Sequence, residues 1–179
     1  MFKRTGMPFH FHQLDNKTRE IMKEELEMDL DGNGHYQSPR LTSEGLRQFP
    51  DFLKEAIESG NDISFSNTLR PYYKSFEFYI RKGRQYKRKI SSDAHLVLGQ
   101  GQFNIYYMRA ICQIALSQGI KEVEIYRGKQ SKEPRRSSQV QIGSKLDASK
   151  LLNELRNTSE FGSKEFQIGL PNSGLSLKF

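Results

Sequence analysis

The sequence predicts an α+β fold: a helix-rich single domain over residues 1–179, with a small antiparallel sheet that includes a hairpin over 73–90. Apolar residues recur at helical spacing in several separate stretches, the clearest between Gln102 and Gln118. Two alternating runs flank Lys82-Gly83, the pattern of a tight hairpin. The strand-like segments suit antiparallel pairing better than a strand–helix–strand series.

The first helix is expected over Lys17–Met28, capped by Asp15 or Asn16 and stopped at Gly32-Asn33-Gly34. A second starts near Thr42 or Ser43. Pro50 divides it into a short turn and a fresh helix that carries Leu53, Ala56 and Ile57 and ends at Gly60. Asn61 or Asp62 then caps a brief segment through Ile63, Phe65 and Leu69, which Pro71 stops.

Strands are expected over Tyr73–Ile80 and Gln85–Ile90. A two-residue turn sets Tyr79 opposite Tyr86 and Glu77 opposite Arg88, and puts Phe76, Phe78 and Ile80 on the other face beside Lys87 and Lys89. Next comes a short apolar helix from Ser92 or Asp93 to Leu98, broken at Gly99-Gln100-Gly101 by a hinge. The strongest helix follows, with Phe103, Tyr106, Tyr107, Ala110, Ile111, Ile114 and Ala115 at helical spacing, and it ends at Gly119. Lys121–Arg127 reads as a strand with Val123 and Ile125 inward, and Val140–Ile142 as its short return. Asp147 caps a helix carrying Leu151, Leu152 and Leu155. The segment 157–174 is loop-like, and 175–179 reads as an edge strand.

Composition bounds the function classes. Hydrophobic residues make up 35% of the chain, but 12 Phe and 8 Tyr supply large apolar surfaces, so the chain should fold. The lone cysteine, Cys112, has apolar neighbours and reads as a small core residue; one cysteine fits a reducing, cytoplasmic setting. No apolar run follows Met1-Phe2-Lys3-Arg4, so no secretory leader is expected. The stretch 105–116 is too short and too polar to span a bilayer, so no membrane partner is expected either.

Net charge is +7, and its distribution is uneven. Between Arg70 and Lys89 stand eight basic residues against one acid, Glu77, which accounts for the whole net charge. Lys and Arg neutralise phosphates with release of counterions, and exposed rings stack on unpaired bases. The expected contacts to nucleic acid or another polyanion are Arg81, Lys82, Arg84, Lys87, Arg88 and Lys89, with Arg135 and Arg136 in a second basic loop that also holds Arg127, Lys129 and Lys132. The competing reading is an edge hairpin whose rings are core and whose lysines discourage strand addition.

Other motifs are weaker. Asp29-Leu30-Asp31-Gly32-Asn33-Gly34 begins like a calcium loop, but Arg40 stands where the bidentate Glu belongs, so a helix C-cap is the better reading. His10 and His12 share one face of an extended segment near Asp15, which leaves a metal-assisted nuclease as the third reading, with no third ligand fixed. No catalytic residue, metal ligand or cofactor is assigned. Arg109, on the central helix, needs a partner, and Glu122 or Glu124 is the expected one.

The stretches Phe103–Cys112, Val123–Arg127 and Pro171–Ser176 resemble parts of uncharacterised bacterial and mobile-element proteins over about the C-terminal half. That resemblance brings no activity and no functional residues. The leading expectation is a basic, cytoplasmic, non-catalytic protein that contacts nucleic acid or another polyanion. The alternative is a homo-oligomeric interaction or assembly component of a mobile element.

Overall fold

Helix α4, Ala94–Ser117, carries apolar residues on nearly every side and is buried accordingly, as a helix without a polar face must be. The computed structural model describes residues 6–32, 34–131, 133–157 and 162–179. Around α4 pack α1 (Asn16–Asp31), α3 (Asp62–Leu69) and α6 (Ala148–Asn157), while α2 (Ser43–Ser59) packs on α1 and α3. Two antiparallel sheets complete the α+β fold. One is the hairpin β1 (Phe76–Arg81) and β2 (Arg84–Lys89). The other has the order β4-β3-β5, with β3 (Glu122–Arg127) between β4 (Lys145–Asp147) and β5 (Leu175–Lys178).

The caps follow local chemistry. Asp15 accepts from the Thr18 amide at 2.9 Å, and Thr42 from Gly45 at 3.1 Å. Asn61 and Ser64 form a reciprocal capping box, and Asp147 accepts from Lys150 at 2.8 Å. The Gly32 amide closes α1 on the Met28 carbonyl at 3.1 Å, so the calcium-like segment is the end of this helix; Asn33 lies outside the described residues.

Four expectations need correction. Pro50 does not divide α2, which runs unbroken through it. The proline lacks one helical donor, but Phe49, Leu53, Ala56 and Ile57 bury as one continuous stripe, and that burial outweighs the lost bond. Nor do Gly99 and Gly101 break α4. A Cβ on Gly99 would lie 2.6 Å from the Ser66 Cα, so the glycine lets α3 and α4 approach closely instead of forming a hinge. Val140–Ile142 is not the returning strand, since Val140 is 71% exposed and the chain turns through Gly143 before β4 pairs with β3. Short helix α5 (Arg136–Gln139) occupies the start of that loop.

Arg109 does not pair with Glu122 or Glu124. Its guanidinium, on a side chain only 4% exposed, meets Asp29 at 2.7 Å and Glu25 at 3.8 Å, both on α1. Two further bonds, at 3.1 and 2.7 Å, run to the Leu155 carbonyl on α6. Glu122 and Glu124 stand on β3 instead, where Glu124 pairs with Lys178 at 3.1 Å. Arg156 also reaches the fully buried Glu25, so one charge network ties α1, α4 and α6 together. Cys112 is buried, and burial pushes its thiol up to about 12, far from a reactive thiolate.

Candidate nucleic-acid interface

The β1–β2 hairpin follows from its turn. Lys82 and Gly83 have φ of 50° and 72°, the left-handed pair whose twist matches two flanking antiparallel strands. The register is the one the sequence predicts, with Tyr79 opposite Tyr86 and Glu77 opposite Arg88. One face therefore carries Phe76, Phe78, Ile80, Gln85, Lys87 and Lys89, and the other Glu77, Tyr79, Arg81, Arg84, Tyr86 and Arg88.

Neither face packs as core. Every residue of the two strands is exposed except Glu77, which is half-buried, with Phe78 63% and Ile80 77% exposed. The hairpin is an arm, and the reading of its rings as core is not what the fold contains. A two-stranded ribbon is marginal on its own, so its root matters. There the Ile90 amide bonds the Ser75 carbonyl at 3.0 Å, Lys74 bonds the Arg40 carbonyl at 2.9 Å, and Thr42 bonds that of Tyr72 at 2.8 Å. The Ile90 side chain is buried, and the Tyr73 hydroxyl donates to the Ala94 carbonyl at 3.1 Å.

One carboxylate completes the root. Glu77 accepts two bonds from Arg40, at 2.8 and 3.0 Å, and is bonded from the other strand by Arg88, with Nε at 2.9 Å. The hydrogen bonds from Arg40 foremost, then those from Arg88, hold the Glu77 carboxyl below the usual carboxylate range. Sequence reasoning missed Arg40, which lies 37 positions away and carries no local signal of this pairing.

The remaining cations have no such partner. Arg81, Lys82, Arg84, Lys87 and Lys89 form no salt bridge with another described residue, and Lys87 sits 4.0 Å over the Phe76 ring. Arg81 stands directly across from Arg84 with Lys82 between them in the turn, so like charges crowd the tip.

The second basic segment is not a uniform cationic surface. Arg135 and Arg136 are exposed, and Arg135 donates to the Pro171 carbonyl at 3.3 Å. Lys129 instead turns inward to the Gln100 side chain beside Asp62, and desolvation lowers its pKa. Arg127 donates to the Ser173 carbonyl at 3.2 Å. Lys132 lies outside the described residues. A cleft of about 600 Å³ opens beside the arm root, lined by Tyr36, Arg40, Tyr73, Glu77, Asp93 and Pro171 among others. Arg135, through its bond to Pro171, therefore stands next to the cleft that the arm root borders.

His10 and His12 place their rings 5.3 Å apart, and His12 packs on Tyr126 with centroids 4.2 Å apart. Among the described residues, no group of three His, Cys, Asp or Glu side chains is placed to hold a metal ion. Nor is any helix of these residues long and apolar enough to cross a membrane. Comparison with known proteins finds no matching family model, no matching curated protein and no matching solved structure.

Proposed function

We propose that this protein binds nucleic acid through the β1–β2 arm, without catalysis. The observation that carries the reading is the crowding of Arg81, Lys82 and Arg84 at the tip of a ribbon that the body leaves uncovered. In the free protein these charges repel one another, and a row of phosphates relieves the repulsion. If all five unpaired arm cations meet phosphates, log K should fall against log salt with a slope of about −4.5, from about 0.9 per phosphate. Fluorescence anisotropy with a labelled oligonucleotide, titrated at several salt concentrations, measures that slope. Arg84→Glu with Lys87→Glu should weaken binding at least tenfold at low salt while leaving the circular dichroism spectrum unchanged. Absence of salt-sensitive binding at low ionic strength would overturn the proposal.

The exposed row Phe76, Phe78 and Ile80 favours a second reading, a homo-oligomeric assembly component that pairs arm to arm. Two arms of the same sign repel, which places this reading second. Sedimentation without nucleic acid separates the two, because a stable dimer that Ile80→Lys dissolves would favour assembly.

A further inference from the structure

The arm's cations are divided between its two faces, and that division bears on which nucleic acid it fits. Lys87 and Lys89 project from one face, and Arg81, Arg84 and Arg88 from the other. A single strand lying on the ribbon would meet one set and leave the other in solvent. Two phosphate backbones flanking the ribbon would meet both.

The rings point the same way. Binding of single strands relies on open aromatic faces on which bases stack. Here Tyr79 stacks on Tyr86 with centroids 5.6 Å apart and 23° between planes, and the Arg88 guanidinium lies 5.4 Å from the Tyr79 centroid. Phe76 has its own face covered by the Lys87 ammonium at 4.0 Å. These contacts use the ring faces within the ribbon itself. Phe78 and Ile80 remain the most open apolar groups of the arm, on its third and fifth rungs from the root.

Dimensions narrow the choice of duplex. Sheets pack about 10 Å apart, which sets the thickness of one ribbon with its side chains at roughly 10 Å. The B-DNA major groove is about 12 Å wide and admits a two-stranded ribbon, whereas the minor groove, at about 6 Å, does not. The major groove of A-form RNA is too narrow and deep for side chains to enter. We infer that the arm's ligand is double-stranded DNA, with the ribbon lodged in the major groove and each cationic face turned to one phosphate backbone. This inference rests on the nucleic-acid reading above.

The test compares the full-length protein on four labelled probes of one sequence and length: duplex DNA, duplex RNA, single-stranded DNA and single-stranded RNA. Duplex DNA is expected to bind at least tenfold tighter than each of the others at the same salt concentration. Lys87→Gln with Lys89→Gln, and separately Arg81→Gln with Arg84→Gln, should each flatten the duplex salt slope by about 1.8. Equal or tighter binding of either single strand or of duplex RNA would overturn the duplex inference and leave the nucleic-acid reading standing. A slope that responds to only one of the two pairs would also overturn it. Failure to bind any of the four probes overturns both. Unchanged circular dichroism of each variant assigns the slopes to lost contacts and not to unfolding.

Discussion

Replacing Arg109 with methionine keeps a long side chain on α4 but removes the cation that α1 and α6 share. The guanidinium makes a 2.7 Å bond to Asp29, lies 3.8 Å from the fully buried Glu25, and gives two bonds to the Leu155 carbonyl. Removing one partner of a buried pair costs about 3–5 kcal/mol, since the other charge stays behind in a poor solvent. Two features pull the value toward the lower end. Asp29 keeps its 2.7 Å bond from the Tyr106 hydroxyl and is 16% exposed, and Glu25 keeps Arg156 at 2.5 Å. The Leu155 carbonyl, however, loses the two bonds that Arg109 gives it. The expected loss is therefore about 3–4 kcal/mol, a large part of the ~5–15 kcal/mol that a typical domain has. Urea denaturation followed by circular dichroism measures it, with the slope checked for two-state behaviour. The double variant Arg109→Met with Asp29→Asn should recover at least about 1 kcal/mol relative to the sum of the single changes, because the stranded anion is gone. A loss under about 1 kcal/mol for Arg109→Met, or strict additivity in the pair, would refute the role of this network.

Gly99→Ala separates a hinge from a packing glycine by the sign of its effect. A hinge would gain up to about 1 kcal/mol of helix propensity. The close approach of Ser66, where overpacking costs about 1–3 kcal/mol, predicts a net loss in the same denaturation assay. Arg40→Ala should loosen the root of the arm while sparing the core, and faster tryptic cleavage at Lys82 and Arg84 reads that out; an unchanged cleavage rate counts against Glu77 as the anchor. Desolvation lowers the pKa of both His35 and His95 below 6.5. As pH falls through 6.5 the unfolded chain binds protons that the folded protein resists. Stability should therefore be full above that value and decline below it, down through the lower folded-state pKa values. Denaturation at pH 7.5 and 5.5 checks this, and His35→Gln with His95→Gln should flatten the difference.

Local chemistry made much of the fold legible. Asp15, the Asn61–Ser64 pair and Asp147 act on donors two or three residues away, so sequence alone places their helix starts. The hairpin register follows from a two-residue turn and alternation, both short-range, and the cationic residues of the arm are readable as a run of charge. What was not legible depends on distant partners. Gly99 looks like a breaker until Ser66, 33 positions earlier, lies against it. Pro50 looks like a boundary until a buried stripe is seen to run across it. The partners of Arg109 lie 80 positions before it and 46 after it, whereas Glu122 and Glu124, nearer in sequence, stand on β3 away from it. Within the candidate site, the exposure of Phe78 and Ile80 was equally hidden, because an alternating apolar row reads the same whether it meets a core or a ligand.

The free-standing ribbon also separates two kinds of selection. Apart from Glu77 and the root residues, substitutions between Phe76 and Lys89 alter no buried neighbour, whereas almost any enlargement along α4 does. Folding thus constrains one set of residues and ligand choice another. Such a chain can drift toward a new target at its arm without passing through unstable intermediates. In a library of single substitutions, abundance in cells should track changes in α4 and its neighbours, while affinity should track the arm.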